Sequence, residues 1–359
     1  MSDCKKFYNN ICKEINRSNK LKVFKTIFSV KQDSEDKNVK LTEVQKFAAN
    51  FYKAPIINYK GHVTGKSKVN NTRYSEVIAD TLVSKGYIKT WLELQPLRPN
   101  HFDTGHNHSE SVDINKLQFS NRKEEILAKL LFYQREVKDL GYIFDYQTPL
   151  KKVQSDPYGK IDLLGYNSKD KCYSIIELKY RPSGSEETLL RCVLEAYTYY
   201  KLFDLNQIES AQDHKGINEL RALNDYKHTK NAELVILFDE KSRAKDDGGE
   251  NSNLMLRIDL QSKDKANKVN KANKEIYPSK TVESQQHKEC QELLDSDKRN
   301  SLRTLCDKIL EQEPNLKQIR FVVLQVDPNS KKNHPEYITG WDENLDRFYR
   351  AETLLTIPK

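Results

Sequence analysis

Apolar residues in the first third of the chain recur at helical spacing. From about Leu41 to Lys53 they fall on one face, and Pro55 follows where a helix could not continue. A second run, from about Arg73 to Lys85, also turns its apolar side chains to one side, and Gly86 suits a helix end. The pattern predicts two helices in this region.

The segment after Gly86 has the character of a strand, from Tyr87 to Leu94. Two helices, a glycine and a strand fit a winged helix-turn-helix that enters the DNA major groove. They also fit an ordinary helical domain whose helix ends in glycine. The polar, turn-rich segment Arg98–Ser109 predicts a linker. We therefore expect residues 1–120 to form a mainly helical recognition or regulatory domain.

From Asn121 onward the hydrophobic pattern changes to alternating helices and strands. The pattern predicts a helix over Asn121–Leu140 that ends at Gly141, and a second helix over about Ser185–Phe203. Strand-like runs are Tyr142–Val153, Lys160–Tyr166, Tyr173–Tyr180, Glu233–Phe238 and Ile319–Val326. This order predicts an α/β domain over residues 121–359, with a mixed sheet flanked by helices.

Residues 241–300 are poor in apolar side chains and predict an insertion into this domain. Four lysines stand three residues apart between Lys265 and Lys274, a spacing that spirals around a helix instead of forming one stripe. The run fits a basic loop that contacts phosphates. It also fits a flexible, solvated surface.

Composition excludes several classes of protein. The mean hydropathy is -0.81, and no stretch approaches the ~20 apolar residues that span a bilayer. The N-terminal residues have no apolar core of signal-peptide length. The six cysteines contain no CxxC pair and are expected to be reduced thiols in a cytoplasmic protein.

Charge favours an anionic partner without identifying it. Sixty basic residues against 52 acidic ones leave a net charge of +8 over 359 residues. His101, His106 and His108 have no cysteine or carboxylate at ligand spacing, which argues against a metal site. Gly61–Ser67 ends in Gly-Lys-Ser, but its glycines are too close together for a nucleotide-binding loop.

The most informative residues lie on two neighbouring predicted strands. Asp162 stands near the start of one strand, and Glu177 and Lys179 stand two apart at the end of the next. A period of two puts Glu177 and Lys179 on one face, and a short turn near residues 167–171 would bring Asp162 beside Glu177. The pattern predicts two carboxylates and a lysine at one edge of the sheet, although an exposed salt bridge at a strand end is the structural alternative.

These residue types suit the hydrolysis of a phosphodiester. Carboxylate oxygens are the ligands that Mg²⁺ prefers, and the ion retains waters beside a substrate phosphate. A bound metal lowers the pKa of such a water and offsets charge on the phosphorane. A nearby lysine can position the water, help to deprotonate it or stabilise developing negative charge.

The segment resembles the PD-(D/E)xK nuclease superfamily. The resemblance covers about Asn121–Glu240, and Ile161 replaces the proline of the motif. It implies a restriction-endonuclease-like core of one helix, three antiparallel strands, a helix and a further strand. It assigns the motif aspartate to Asp162, the acidic residue to Glu177 and the lysine to Lys179, with Asp162 and Glu177 as metal ligands.

The resemblance extends to both predicted helices. The family often adds an acidic residue from its first helix, and Glu124 suits this role better than Glu125, which points away from the apolar stripe. Glu195 and Tyr199 resemble the Gln-x-x-x-Tyr motif of RecB-type members, with glutamate for glutamine. Packing is the alternative for this tyrosine-rich helix. Arg181 and Arg191 are interpreted as surface residues, with contact to phosphates as the alternative.

Together these features predict a Mg²⁺-dependent DNA endonuclease, with Mn²⁺ as a possible substitute. The resemblance suggests a role in restriction or defence, and cutting both strands favours a homodimer. Two alternatives stay open: a non-cleaving nucleic-acid-binding subunit with a nuclease-like fold, and a nuclease that acts on RNA or on branched substrates.

Overall fold

The chain builds a mixed sheet with helices on both faces, an α/β arrangement. The computed structural model describes residues 48–54, 57–58, 62–63, 72–102, 123–151, 158–180, 187–239, 241–243, 281–294, 300–326 and 349–359. Seven strands form the central sheet: β3 Glu136–Val137, β4 Gly141–Pro149, β5 Lys160–Asn167, β6 Cys172–Lys179, β7 Ala232–Asp239, β10 Leu316–Val326 and β11 Tyr349–Pro358. Two further two-stranded antiparallel sheets pair β1 His62–Val63 with β2 Thr72–Arg73, and β8 Lys241–Arg243 with β9 Thr281–Glu283.

The order of the central sheet is β11-β10-β7-β6-β5-β4-β3. Strands β4, β5 and β6 form an antiparallel meander, whereas β7 is parallel to both β6 and β10. A parallel pair needs a crossover connection. Within the described residues, the connection from β6 to β7 contains three helices. The sheet is therefore mixed, as the alternation of predicted elements indicated.

The helices cover both faces of this sheet. They are α1 Tyr74–Ser84, α2 Lys123–Gln134, α3 Leu189–Leu202, α4 Asn206–Ser210, α5 Lys215–Arg221, α6 Gln285–Leu294 and α7 Ser301–Gln312. Helix α2 packs on the face that carries Ile176 and Leu178. Helix α3 packs on the opposite face with Ile175. The alternation of buried side chains along β6 thus separates two apolar layers.

The two edges of the sheet meet beside α2. Lys138 forms a parallel bridge with Arg350, and the backbone N–H of Ala351 donates to the Lys138 carbonyl at 2.9 Å. The Gln134 amide contacts both backbone polar groups of Tyr349, at 2.6 and 2.7 Å. These contacts satisfy backbone groups that an open sheet edge would expose.

The N-terminal elements share the apolar layer of α3. A 3₁₀ helix over Phe51–Lys53, helix α1 and a second 3₁₀ helix over Tyr87–Glu93 all contribute buried side chains to this layer. The Trp91 indole donates to the Thr198 hydroxyl on α3 at 2.9 Å. This packing brings the first 3₁₀ helix close to the functional residues of α3.

Two predicted boundaries were wrong. The helix predicted to run to Leu140 ends at Gln134, because Arg135 adopts a positive φ of 63° and turns the chain into β3. Gly141 therefore begins a strand. Its φ of 116° and the 2.4 Å separation between an added Cβ and the Tyr166 carbonyl oxygen explain the glycine.

The strand predicted after Gly86 was also wrong. Helix α1 ends as expected, with Gly86 left-handed at φ 67°, but Tyr87–Glu93 continues as a 3₁₀ helix. Ile88 and Trp91, three residues apart, are both buried, so helical spacing governs this segment. The strand on which the winged-helix interpretation depended is absent from these residues.

Both ends of the predicted insertion contain regular structure. The paired strands β8 and β9 and helix α6 lie there, and α6 buries Cys290 and Leu293 in the apolar layer of α3. The sequence analysis also missed α4, α5, α7, β3 and β11. The lysine run at 265–274, Arg181, His106, His108, residues 41–47 and most of 61–67 lie outside the described residues.

The cysteines and the helices bear on the expected class of protein. The four cysteines within the described residues, Cys172, Cys192, Cys290 and Cys306, are free and buried. Within the same part of the chain, every helix is too short or too polar to cross a lipid bilayer.

Candidate active site

Strands β5 and β6 bring the three motif residues together at one end of their hairpin. Leu163 pairs with Ile176, so the preceding Asp162 lies next to Glu177. Lys179 follows on the same face and its ammonium contacts Glu177 directly. The predicted hairpin and shared face are therefore confirmed.

Three carboxylates surround the ammonium of Lys179. Besides Glu177, Nζ lies 3.0 Å from Oε2 of Glu187 and 3.0 Å from Oε2 of Glu195. Lys179 itself is only 6% exposed. Burial of a charge is unfavourable unless opposite charges compensate it, and here they do so on several sides.

Asp162 binds to the backbone of the neighbouring strand. Its Oδ2 accepts from the Leu178 N–H at 2.9 Å, and its Oδ1 accepts from the Gln147 amide at 3.1 Å. Gln147 has a positive φ of 53°, a conformation that is uncommon outside glycine. A bend in β4 thus helps to orient the aspartate.

Helix α3 supplies the other side of the cluster. Arg191, Glu195 and Tyr199 follow one another at intervals of four along one side of the helix, and Glu187 stands four residues before Arg191, just ahead of the N-cap. Arg191 lies 3.2 Å from Glu187 and 3.8 Å from Glu195, and Tyr199 donates to Oε1 of Glu195 at 2.9 Å. Thr188 caps the helix, accepting from the N–H of Arg191.

The predicted acidic residue of the first helix also reaches this region. Oε2 of Glu124 accepts from the Tyr180 N–H at 2.9 Å, one residue beyond Lys179. Burial raises the pKa of Asp162, and the charge of Glu124 adds to this rise. The structure thus brings the six predicted site residues into one neighbourhood.

Burial and mutual repulsion divide the carboxyl groups into two kinds. Burial and the facing Glu195 carboxylate raise the pKa of Glu177 well above its usual range, and burial and Glu124 do the same for Asp162. For Glu195, burial opposes ionisation, but Lys179 and Glu177 outweigh it and lower the pKa. Glu195 is therefore the ionised partner, whereas Glu177 and Asp162 need further positive charge to ionise fully.

The same contacts keep Lys179 protonated. Burial acts to lower its pKa, but Glu177 and Glu195 lead a group of carboxylates that raise it well above its ordinary value. An ammonium in this arrangement supplies positive charge and hydrogen bonds and does not act as a base.

The donor atoms and the charge suit a hard divalent cation. Five carboxyl groups, those of Glu124, Asp162, Glu177, Glu187 and Glu195, outnumber the contacting cations Lys179 and Arg191 among the described residues. Oε2 of Glu177 is buried without a hydrogen-bond donor from that part of the chain. No three His, Cys, Asp or Glu side chains in the described ranges form a ready-made metal cage. Mg²⁺ commonly takes only one or two carboxylates and completes its shell with water and phosphate.

Gly159 packs directly against the Tyr199 hydroxyl. A Cβ at residue 159 would lie 2.5 Å from the Tyr199 hydroxyl oxygen and 3.1 Å from the ring carbon that carries it. Only a residue without a side chain allows this approach between the start of β5 and α3.

Gly159→Ala is therefore expected to displace Tyr199 and to destabilise the fold by about 1–3 kcal/mol, the usual scale of overpacking. Tyr199→Phe removes the atom that the methyl group meets. The alanine should accordingly be less destabilising in the Tyr199→Phe background, as measured by urea unfolding in a double-mutant cycle. Equal effects in both backgrounds would contradict this contact.

His101 and Arg191 both have partners within the protein. His101 is buried, with Nδ1 2.9 Å from the Pro149 carbonyl oxygen and Nε2 accepting from the Asp204 N–H, so both nitrogens have structural partners. Arg191 was wrongly interpreted as a surface residue: its ion pairs with Glu187 and Glu195 hold it half-buried.

Sequence reasoning missed Glu187 and Tyr52. The four-residue interval from Glu187 to Tyr199 was a usable signal for Glu187, because it continues the row of Arg191 and Glu195. Tyr52 carried no such signal. Its hydroxyl lies 3.4 Å from that of Tyr199, 147 positions away in the sequence.

Helix α6 supports the helix that carries the site. Glu289 is buried, and its Oε2 accepts from the N–H of Leu189 in the first turn of α3 at 2.7 Å, while Oε1 accepts from Gln285 at 2.6 Å. Burial raises the pKa of Glu289 from 4.5 to about 7. In the folded protein Glu289 therefore ionises only as the pH approaches neutrality.

A raised carboxyl pKa stabilises the fold only at low pH. The contribution of Glu289 is fully present below about pH 4.5 and is lost as pH rises through about 7. Glu289→Gln is therefore expected to unfold at higher urea than wild type at pH 8, by up to roughly 3 kcal/mol, with the difference vanishing near pH 4.5. A pH-independent difference would contradict this assignment.

Comparison of the chain with protein-family models, with curated proteins and with solved structures found no match. The chemistry of the site therefore has to be argued from its own geometry.

Proposed function

We propose that this chain is a metal-dependent nuclease that hydrolyses phosphodiester bonds in DNA. The observation that carries the proposal is the convergence of Asp162, Glu177 and Lys179 with Glu195 and Tyr199 of α3. A charged cluster this deeply buried is unfavourable for packing alone, so a functional requirement is the better explanation.

The order of elements supports the same proposal. Helix α2, the antiparallel strands β4, β5 and β6, helix α3 and the parallel strand β7 follow one another as a restriction-endonuclease-like core would require. Asp162 lies on β5, and Glu177 and Lys179 lie on β6, the second and third strands of this antiparallel meander. The described residues between 48 and 102 are mainly helical and pack against α3, so a recognition or regulatory role for the N-terminal part would act next to the site.

Asp162 and Glu177 are the residues that would hold Mg²⁺ or Mn²⁺. When bound, the cation would acidify a water molecule and offset charge on the phosphoryl oxygens. The residues' own contribution is to present hard oxygen ligands, whose pKa values are raised by burial and by neighbouring carboxylates. Gln147 and the Leu178 N–H keep the Asp162 carboxylate oriented.

Lys179 would act as a fixed positive charge. Hydrolysis joins a water oxygen to phosphorus and breaks the bond to a bridging oxygen, so negative charge accumulates on the phosphoryl group. Because its carboxylate neighbours keep Lys179 protonated, it can stabilise this charge and orient the water. Glu195 accepts hydrogen bonds from Lys179 and Tyr199 and so positions the ammonium.

The net charge of +8 and the resemblance to PD-(D/E)xK nucleases support DNA as the substrate and favour a role in restriction or defence. A homodimer would supply the two active sites that a double-strand break requires.

Cleavage of a supercoiled plasmid with Mg²⁺, with Mn²⁺ and with EDTA tests the proposal. We expect nicked or linear product only with metal, and a loss of about 10²–10³-fold in rate for Asp162→Asn. Asp213→Asn, at an exposed position, is the matched control and should cleave like wild type.

Other outcomes would favour the alternatives. Tight DNA binding without cleavage, unchanged in Asp162→Asn, would favour a non-cleaving subunit. Cleavage restricted to RNA or to branched DNA would retain the site chemistry but replace the substrate. Equal cleavage with metal and with EDTA would refute the metal-dependent mechanism.

A further inference from the structure

We propose that the N-terminal 3₁₀ helix is part of the active site: Lys53 binds a phosphate of the substrate backbone, and Tyr52 positions Tyr199 and Glu195. The inference rests on the proposed nuclease function and deepens it, because it adds two residues from a region outside the PD-(D/E)xK resemblance.

A directional chain of hydrogen bonds connects Tyr52 to the carboxylate of Glu195. Tyr199 uses its single hydroxyl proton to donate to Glu195 at 2.9 Å. The Tyr52 hydroxyl, 3.4 Å from that of Tyr199, must therefore be the donor to the Tyr199 oxygen. The chain runs from Tyr52 through Tyr199 to Glu195, which also contacts Lys179.

Aromatic packing reinforces this chain. The rings of Tyr52 and Tyr199 meet edge to face, with centroids 5.9 Å apart and planes at 81°. Gly159 closes the other side of Tyr199, since even a methyl group would meet its hydroxyl there. Tyr199 is thus held between the N-terminal segment and the start of β5, the strand that carries Asp162.

Further hydrogen bonds fix the N-terminal segment to the beginning of α3. The Thr188 hydroxyl donates to the Ile57 carbonyl at 2.7 Å, and the Thr188 N–H donates to the Asn58 side chain at 2.8 Å. Thr188 is also the residue that caps α3. The position of the 3₁₀ helix is therefore coupled to the helix that carries Arg191 and Glu195.

Lys53 lies on the solvent side of this arrangement. Its side chain is exposed, and Nζ lies 5.3 Å from the centre of the Tyr52 ring, which is itself buried against the site. The hydroxyl of this tyrosine lies 3.4 Å from that of Tyr199, which donates to Glu195, so Lys53 adjoins the residues of the cluster. Lys53 and the half-buried Arg191 thus place positive charge beside the acidic cluster, where a nucleic-acid backbone would approach.

Steady-state cleavage and equilibrium binding of a fluorescent DNA duplex, the latter with Ca²⁺, test the proposal in the full chain. For Lys53→Ala we expect the affinity for the duplex to fall about 3- to 10-fold, and the slope of log affinity against log salt concentration to become shallower by about 1. KM should rise, and kcat should stay nearly unchanged. Lys53→Arg should restore most of the affinity. Lys89→Ala, at an exposed lysine of the same region, is the matched control and should bind like wild type.

For Tyr52→Phe, which retains the ring, we expect kcat to fall about 5-fold with KM and duplex affinity unchanged, the scale of one lost hydrogen bond. Unfolding midpoints equal to wild type would exclude a folding defect as the cause. If both variants cleave and bind like wild type while Asp162→Asn is inactive, this inference is wrong and the nuclease function stands. If wild type neither binds nor cleaves DNA, the proposed function itself fails and this inference falls with it.

Discussion

Lys179→Met is expected to destabilise the protein by about 3–5 kcal/mol at pH 8, the usual effect of removing one partner from a buried ion pair. Methionine preserves most of the side-chain volume but leaves Glu177, Glu187 and Glu195 without the ammonium that they surround. The rate of cleavage should also fall, by about 10²–10³-fold, because positive charge at the phosphoryl group is lost.

The pH dependence separates lost charge from lost packing. As pH falls toward 5, the carboxyl groups that have lost the ammonium take up protons. The loss of unfolding free energy in Lys179→Met, relative to wild type, should therefore become smaller. Urea unfolding at both pH values measures this change. Lys308→Ala breaks an exposed pair with Glu311 and should change the free energy of unfolding by only about 0.3–0.5 kcal/mol. A deficit that is the same at both pH values would indicate a packing effect and contradict the electrostatic explanation.

Glu177→Gln is expected to give opposite effects on stability and on activity. The pKa of Glu177 is raised by burial and by Glu195, so its stabilising contribution is present only at low pH and is lost as pH rises through the raised pKa. Glutamine cannot ionise, so it avoids the cost of ionising a buried carboxyl group, and the variant should be more stable than wild type at pH 8 by about 1–3 kcal/mol. Cleavage should fall about 10²–10³-fold, because a metal ligand is lost.

The same substitution at Glu233 provides the control. Glu233 is equally buried, but both of its oxygens accept from the Arg320 guanidinium, and Ser174 donates to it at 2.6 Å. Removing this charge leaves a buried arginine without its partner, so Glu233→Gln should destabilise the fold. Opposite signs for the two variants at pH 8, measured by urea unfolding, are the expected result. Destabilisation by Glu177→Gln at that pH would refute the charge imbalance inferred for the site.

The local parts of the site were predictable because they depend on short stretches of chain. Glu177 and Lys179 share a face through the two-residue period of β6, and Leu163 pairs with Ile176 through a turn of a few residues. Helical spacing likewise aligned Glu195 with Tyr199. Regular backbone geometry fixes such relationships before any tertiary packing is known.

Element boundaries were less predictable where single residues change the backbone direction. The apolar run around Val137 continues the helical pattern of α2, but the positive φ of Arg135 ends the helix before it. The segment Tyr87–Glu93 was predicted as a strand because its aromatic and β-branched residues favour strands. Its buried residues, Ile88 and Trp91, are instead three apart, as in a 3₁₀ helix. Polar helices such as α6 were missed because only a narrow apolar stripe is buried.

The sequence by itself determined the α/β class, the hairpin of β5 and β6 and the convergence of Asp162, Glu177 and Lys179. These features follow from periodicity and from residues close together in the chain. Tertiary structure alone decided that Glu187 contacts Lys179, that Arg191 is drawn into the cluster and that Tyr52 reaches Tyr199. Such contacts join separately packed elements, and their geometry is set by the two apolar layers on either side of the sheet instead of by any local pattern.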